Sequence, residues 1–229
     1  MRSAYKRVLA LIGLLMAVGT AWGFQPERPN FTIQRAVDQI KLDGIVDEKS
    51  WNDATVISDL IQQFPYDTSR SKVKTEFRAT YDDHFLYFSA VAHDNKPGGY
   101  AVSSLRRDFR GPGLDGVAVI LDTFQDVTNA FFFGLSPAGV QREGLISNGY
   151  LQQDNLDFSW DNKWYSHVKV FEGYYVAEWA IPFTTIRFKT GAPRWNVKFH
   201  RHKQANHCQN TFVGRSHGTK KIQSHSLTK

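Results

Sequence analysis

The chain has 229 residues, enough for one domain with a sizeable core or two small ones. Its formal charge of +6 suggests a polyanionic partner, but residues 1–23 and 200–229 hold nine basic residues and no acid. That leaves 22 acidic against 19 basic residues in 24–199, a net of −3, which argues against nucleic-acid binding.

Residues 1–23 read as a secretory signal: Arg2, Lys6 and Arg7, then the apolar run Val8–Val18, then Ala21-Trp22-Gly23 as a small-residue cleavage site. That run is too short to span a bilayer comfortably. The only cysteine is Cys208, so no intramolecular disulfide is available even in an exported compartment. Aromatic residues at 14% favour packed strands over helical bundles.

Phe31–Ala36 alternates as an opening edge strand. Asp43-Gly44 is a turn, and Asp47 is placed to cap one helical turn that carries Trp51 into the core. Val56–Gln62 reads as a strand and 66–71 as a polar loop. Val73–Tyr81 and the strand from Phe85 form a hairpin across Asp82-Asp83. In the second of these strands Phe85, Tyr87, Ser89 and Val91 line one face, and Leu86, Phe88, Ala90 and Ala92 the other. Both faces are largely apolar, so the strand should be covered on both sides.

Residues 100–114 lack periodicity and read as a long loop containing Arg106, Arg107 and Asp108. Gly116–Asp122, Ala130–Leu135, Val140–Ile146, Tyr165–Phe171 and Tyr174–Ile181 follow as strands, and Trp195, Val197 and Phe199 begin one more. About nine or ten strands with almost no helix describe an all-β fold, an antiparallel sandwich of immunoglobulin or jelly-roll type, over 24–199. Residues 200–229 hold five of the eight histidines, no acid and no periodicity; they are expected to be a disordered basic tail, from a truncation or frameshift. His200, His202, His207 and Cys208 match no trusted metal-ligand spacing.

The segments 42–51 (LDGIVDEKSW), 80–94 (TYDDHFLYFSAVAHD), 106–109 (RRDF), 116–124 (GVAVILDTF), 130–141 (AFFFGLSPAGVQ), 160–164 (WDNKW) and 174–188 (YYVAEWAIPFTTIRF) occur in an order that resembles the carbohydrate-binding module family 9-like sandwich. The pattern is most similar to the form at the N-terminus of long bacterial exported proteins that continue into an outer-membrane β-barrel. The resemblance implies sugar binding without catalysis, with two tryptophans around a saccharide end and calcium ions bracing loops. It also implies a periplasmic, outer-membrane or surface location, and a fragment whose barrel portion is missing.

For the saccharide, an oligo- or polysaccharide of xylan or cellulose type, the candidate residues are Trp160 and Trp164, with Arg107 and Asp108 as hydrogen-bonding groups. Four residues apart in an extended segment, the two indoles would share a face. Asp94 and Asp122 are remote calcium candidates, with Asp115 and Asp157 also near strand ends, but no clustered acidic loop motif is present and no cofactor is expected.

Rival readings are available from the residues. A glycoside hydrolase would need two facing carboxylates, for which Glu143 and Glu178 are present, and O-glycosyl hydrolase activity would belong to an attached module. Haem would have to use His84 and His93. An accessory domain that binds protein rather than sugar is the remaining alternative.

Overall fold

The computed structural model describes residues 30–64, 69–94, 100–102, 104–108, 115–149, 156–189, 194–203 and 208–218, for 63–64 and 208–218 the backbone alone. The expected signal segment 1–23 lies outside the described residues. In chain order the elements are β1 (Asn30–Arg35), α1 (Lys49–Asp53), β2 (Ile61–Phe64), β3 (Thr75–Tyr81), β4 (Phe85–His93), β5 (Gly116–Asp122) and β6 (Ala130–Leu135). They continue with β7 (Gln141–Ile146), β8 (Leu156–Asp157), β9 (Tyr165–Phe171), β10 (Tyr174–Pro182), β11 (Arg194–Lys203) and β12 (Cys208–Gly218).

These strands make a β-sandwich. One sheet runs β8-β7-β6-β5-β11-β12-β1, with β2 also on β12, and the other runs β1-β3-β4-β10-β9. Strand β1 belongs to both: Asn30–Ile33 pair parallel with β12, and Gln34–Arg35 pair parallel with β3. The other described strand pairings are antiparallel, including the expected β3–β4 hairpin, with Tyr81 opposite Leu86.

The inner faces supply one core. Val119 and Phe133 from the first sheet meet Phe88, Ala90 and Trp179 from the second. Phe199 of β11 lies at its centre, its ring stacked on Phe77 at 4.7 Å and angled against Phe31 and Phe88, each at 5.9 Å. A buried phenylalanine is worth about 1.5–3 kcal/mol relative to exposure, so this cluster is what holds the two sheets together. Trp179 and Trp195 are core residues.

The outer face of β4 is also covered, as its apolar composition requires. Ile40, Trp51 and Ala54, from the segment between β1 and β2, pack on Tyr87 and Ala180. Trp51 thus fills a second cluster outside the main core. Its helix is not capped by Asp47. Asp38 does this work from eleven residues upstream: its Oδ2 accepts the Lys49 N–H at 2.8 Å and its Oδ1 the Ser50 N–H at 3.1 Å. The capping carboxylate comes from a segment folded back beside the helix, which local spacing does not reveal.

The disordered tail expected from His200 is corrected by the strands themselves. β11 continues to Lys203, and β12 takes the backbone of 208–218 into the first sheet between β11 and β1. Phe199, Arg201 and Lys203 point inward and are buried, while alternate positions face out. Charged residues at inward positions masked the period of two. Residues 219–229 lie outside the described residues.

Candidate polar and aromatic site around Glu143

The candidate site is built where strand β7 loses its neighbour. β8 pairs only with Leu145 and Ile146, so the Gln141–Glu143 end of β7 is not covered by it. The 104–108 loop docks there instead. The Asp108 N–H donates to the Gln141 carbonyl at 3.2 Å, and Asp108 Oδ1 accepts the Glu143 N–H at 2.8 Å. Asp108 has φ of 53°, a left-handed conformation that a short acidic residue tolerates.

Glu143 points from β7 into the sandwich and is 0% exposed. Its Oε2 accepts the Trp164 indole N–H at 2.7 Å, and its Oε1 is ion-paired with Arg107. The Asn162 N–H reaches the same Oε1 at 3.5 Å. Burial pushes the Glu143 carboxyl up; the hydrogen bonds from Arg107 and Trp164 pull it back only in part, leaving it raised. Partial burial works against the Arg107 guanidinium, but Glu143, with Asp161 and Asp108 beside it, outweighs this and raises it.

Arg107 spans the boundary between interior and solvent, its side chain 43% exposed. Besides Glu143 it donates to the Asn162 carbonyl at 2.9 Å and lies 3.3 Å from Asp161 and 3.8 Å from Asp108. The 160–164 segment is irregular, not a strand, so the same-face argument for its two tryptophans does not apply. Both indoles nevertheless meet Phe133: Trp160 at 5.8 Å and Trp164 at 5.4 Å between ring centroids, each near edge-on. Trp160 also packs on Phe131 at 5.4 Å.

The four residues singled out from the sequence therefore come together, with different duties. Trp160 is half-buried at the edge of the core. Trp164 is only 4% exposed and offers no free face to a ligand; the expectation of a two-tryptophan platform is corrected by its burial. Asp108 spends Oδ1 on the backbone of β7 and serves as the loop's anchor. Arg107 remains accessible at the rim, beside Asp161, whose side chain is 78% exposed.

Sequence reasoning missed Glu143 as the centre of this cluster. A charged residue directly opposite Phe133, at an inward position of β7, was the available signal. The segment that carries Trp160 is held from several sides. The Gln141 amide donates to the Trp164 carbonyl and to Ser166 Oγ at 3.3 and 3.0 Å, and Thr185 Oγ1 donates to the Lys163 carbonyl at 2.8 Å.

The rival sites are separated by the fold. Glu178 sits on the outer face of β10, 0% exposed, where its Oε2 accepts the N–H groups of Asp43 and Gly44 at 3.0 and 2.7 Å. Burial pushes its carboxyl up to about 7. Glu143 faces the interior, so the two carboxyl groups lie on opposite sides of the second sheet and share no cleft. His84 precedes β4 and His93 ends it, about 30 Å apart at the usual rise of a strand, too far to ligate one haem iron.

The calcium candidates are engaged elsewhere. Asp94 pairs with buried Lys203. Asp122 Oδ2 accepts the Asn196 amide at 2.7 Å and the Val127 N–H at 3.1 Å. Asp115 accepts the Ala101 N–H at 2.8 Å, and Asp157 the Ser159 N–H at 2.9 Å. Among the described residues, no group of three or more His, Cys, Asp or Glu is placed to hold a metal ion. His200 and His202 are on β11, Cys208 opens β12 opposite Lys203, and His207 lies outside the described residues.

Comparison with solved structures supports the architecture. A carbohydrate binding module family 9 from Caldicellulosiruptor kristjanssonii in complex with glucose aligns with a TM-score of 0.59 at 14% identity, covering 87% of this chain and 100% of its own. The complex from the same organism with cellotriose aligns with a TM-score of 0.59 at 13% identity, covering 87% and 97%. No curated protein matches. The family described as "Carbohydrate family 9 binding domain-like" matches residues 42–200, most of the chain and all the strands that build the site; the chain belongs to that family.

Proposed function

We propose that this chain is a non-catalytic carbohydrate-binding module, and that its saccharide lies against Trp160 with Arg107 and Asp161 at the rim. The carrying observation is the half-buried Trp160 indole, backed by Phe131 and Phe133, on a segment tied down by hydrogen bonds from Gln141 and Thr185. A flat aromatic face takes the C–H side of a pyranose, and fixed polar groups at its edge orient the hydroxyls. Hydrogen bonds that tie the segment to Gln141 of β7 and to Thr185 reduce the ordering entropy lost on binding.

The local charge selects among saccharides. Arg107 is one cation among the carboxylates of Glu143, Asp108 and Asp161, so the patch favours a neutral sugar over a uronate. Family membership and the glucose and cellotriose held by the two structural neighbours favour a cellulose-like ligand.

Isothermal titration of the full chain with glucose, cellotriose and an oligouronate tests the reading. Saturable heat with the neutral sugars is expected, with a loss of about tenfold in Trp160→Ala, about the worth of one aromatic ring contact. No heat with any of the three, from a folded protein, would overturn it.

A further inference from the structure

A buried carboxylate is an expensive component of a sandwich core, and an apolar residue of similar volume would serve stability at least as well. Glu143 occupies such a position, yet its two oxygens are divided between two environments. Oε2 is anchored inside by Trp164, and Oε1 reaches outward to Arg107 and the Asn162 backbone. The 104–108 loop and the 160–164 segment that carries Trp160 thus meet at one oxygen atom. Fixing a long guanidinium side chain costs rotamer entropy, and of the carboxylates around Arg107 only that of Glu143 is fully buried and so itself held in place.

We propose that Glu143 is the positioning residue of this site: its carboxylate, held by Trp164, sets Arg107 and the Asp161–Asn162 backbone for the saccharide, so that affinity depends on Glu143 acting through Arg107. The inference rests on the carbohydrate-binding reading above. The charged groups that face Glu143 are Arg107 and Asp108 from the 104–108 loop, with Asp161 beyond Arg107; from β6 it meets Phe133.

A double-mutant cycle on the full chain tests this, with cellotriose affinity measured for wild type, Glu143→Gln, Arg107→Ala and the double variant. Gln keeps an oxygen for the Trp164 N–H and removes the charge that holds Arg107. The expected result is a loss of about tenfold in E143Q, a similar loss in R107A, and no further loss when the two are combined. Losses that multiply in the double variant would mean that Glu143 acts only by supporting the fold, and would overturn the proposal. So would an E143Q affinity equal to wild type, which would leave the sugar-binding reading standing. Wild-type protein that binds no sugar overturns both. If E143Q does not fold, Glu143→Asp gives the same decision, since it keeps the charge but withdraws it by one methylene. A loss that vanishes in the R107A background supports the proposal, and wild-type affinity overturns it.

Discussion

The Trp164 indole N–H donates to Oε2 of Glu143 at 2.7 Å, with both side chains almost entirely removed from solvent. Trp164→Phe keeps most of the packing against Phe133 and deletes only this donor. The carboxylate then loses a hydrogen bond inside the protein, at an expected cost of about 2–3 kcal/mol. Urea unfolding of the two proteins measures it. A difference below about 0.5 kcal/mol would show that the bond contributes nothing net.

Glu178 makes stability depend on pH. Its folded-state carboxyl is raised from 4.5 to about 7, mainly by burial. A raised acid binds its proton more tightly when folded, so its contribution is fully present below 4.5 and is lost as pH rises through about 7. Glu178→Gln keeps an acceptor for the Asp43 and Gly44 N–H groups and removes the titration. Relative to wild type, the variant should gain on the order of 2–3 kcal/mol between acid and mildly alkaline pH. Parallel stability–pH curves for the two proteins would refute the assignment.

Gly44 is required at its turn for two reasons. Its φ is +76°, and a Cβ there would overlap the Cβ of Lys169 on β9. The Lys169 Cβ is fixed by its backbone, so the overlap cannot be relieved by a rotamer change. Gly44→Ala should cost about 2–4 kcal/mol, read as a lowered melting temperature.

Removal of the residues after Lys203 should abolish cooperative folding. β12 pairs with β11 over ten positions, with β1 over four and with β2 over three, and without it those strands lose the neighbour that joins them. Circular dichroism of the shortened chain should show no cooperative thermal transition. A sharp one would mean that β12 is dispensable.

Much of the fold is legible in the residues because alternation and turn chemistry are local. The β3–β4 hairpin, the GVAVILD and AFFFGL strands, and the β9–β10 turn at Glu172-Gly173 all follow from period two and short-range punctuation. β12 was not legible, since its polar composition carries no period and its place depends on partners far away in the chain. The same holds for the Asp38 cap, supplied from eleven residues away.

At the site, the sequence by itself determined the chemistry on offer: indoles at 160 and 164, an Arg-Asp pair at 107 and 108, and a glutamate at 143 within a strand. Which indole meets solvent and which meets the carboxylate was decided only when β7, left uncovered at its Gln141–Glu143 end, received the 104–108 loop and the 160–164 segment together. Burial and hydrogen-bond partnership are properties of that three-way meeting, because a side chain's exposure is set by what packs against it and those partners lie 19 to 55 residues apart.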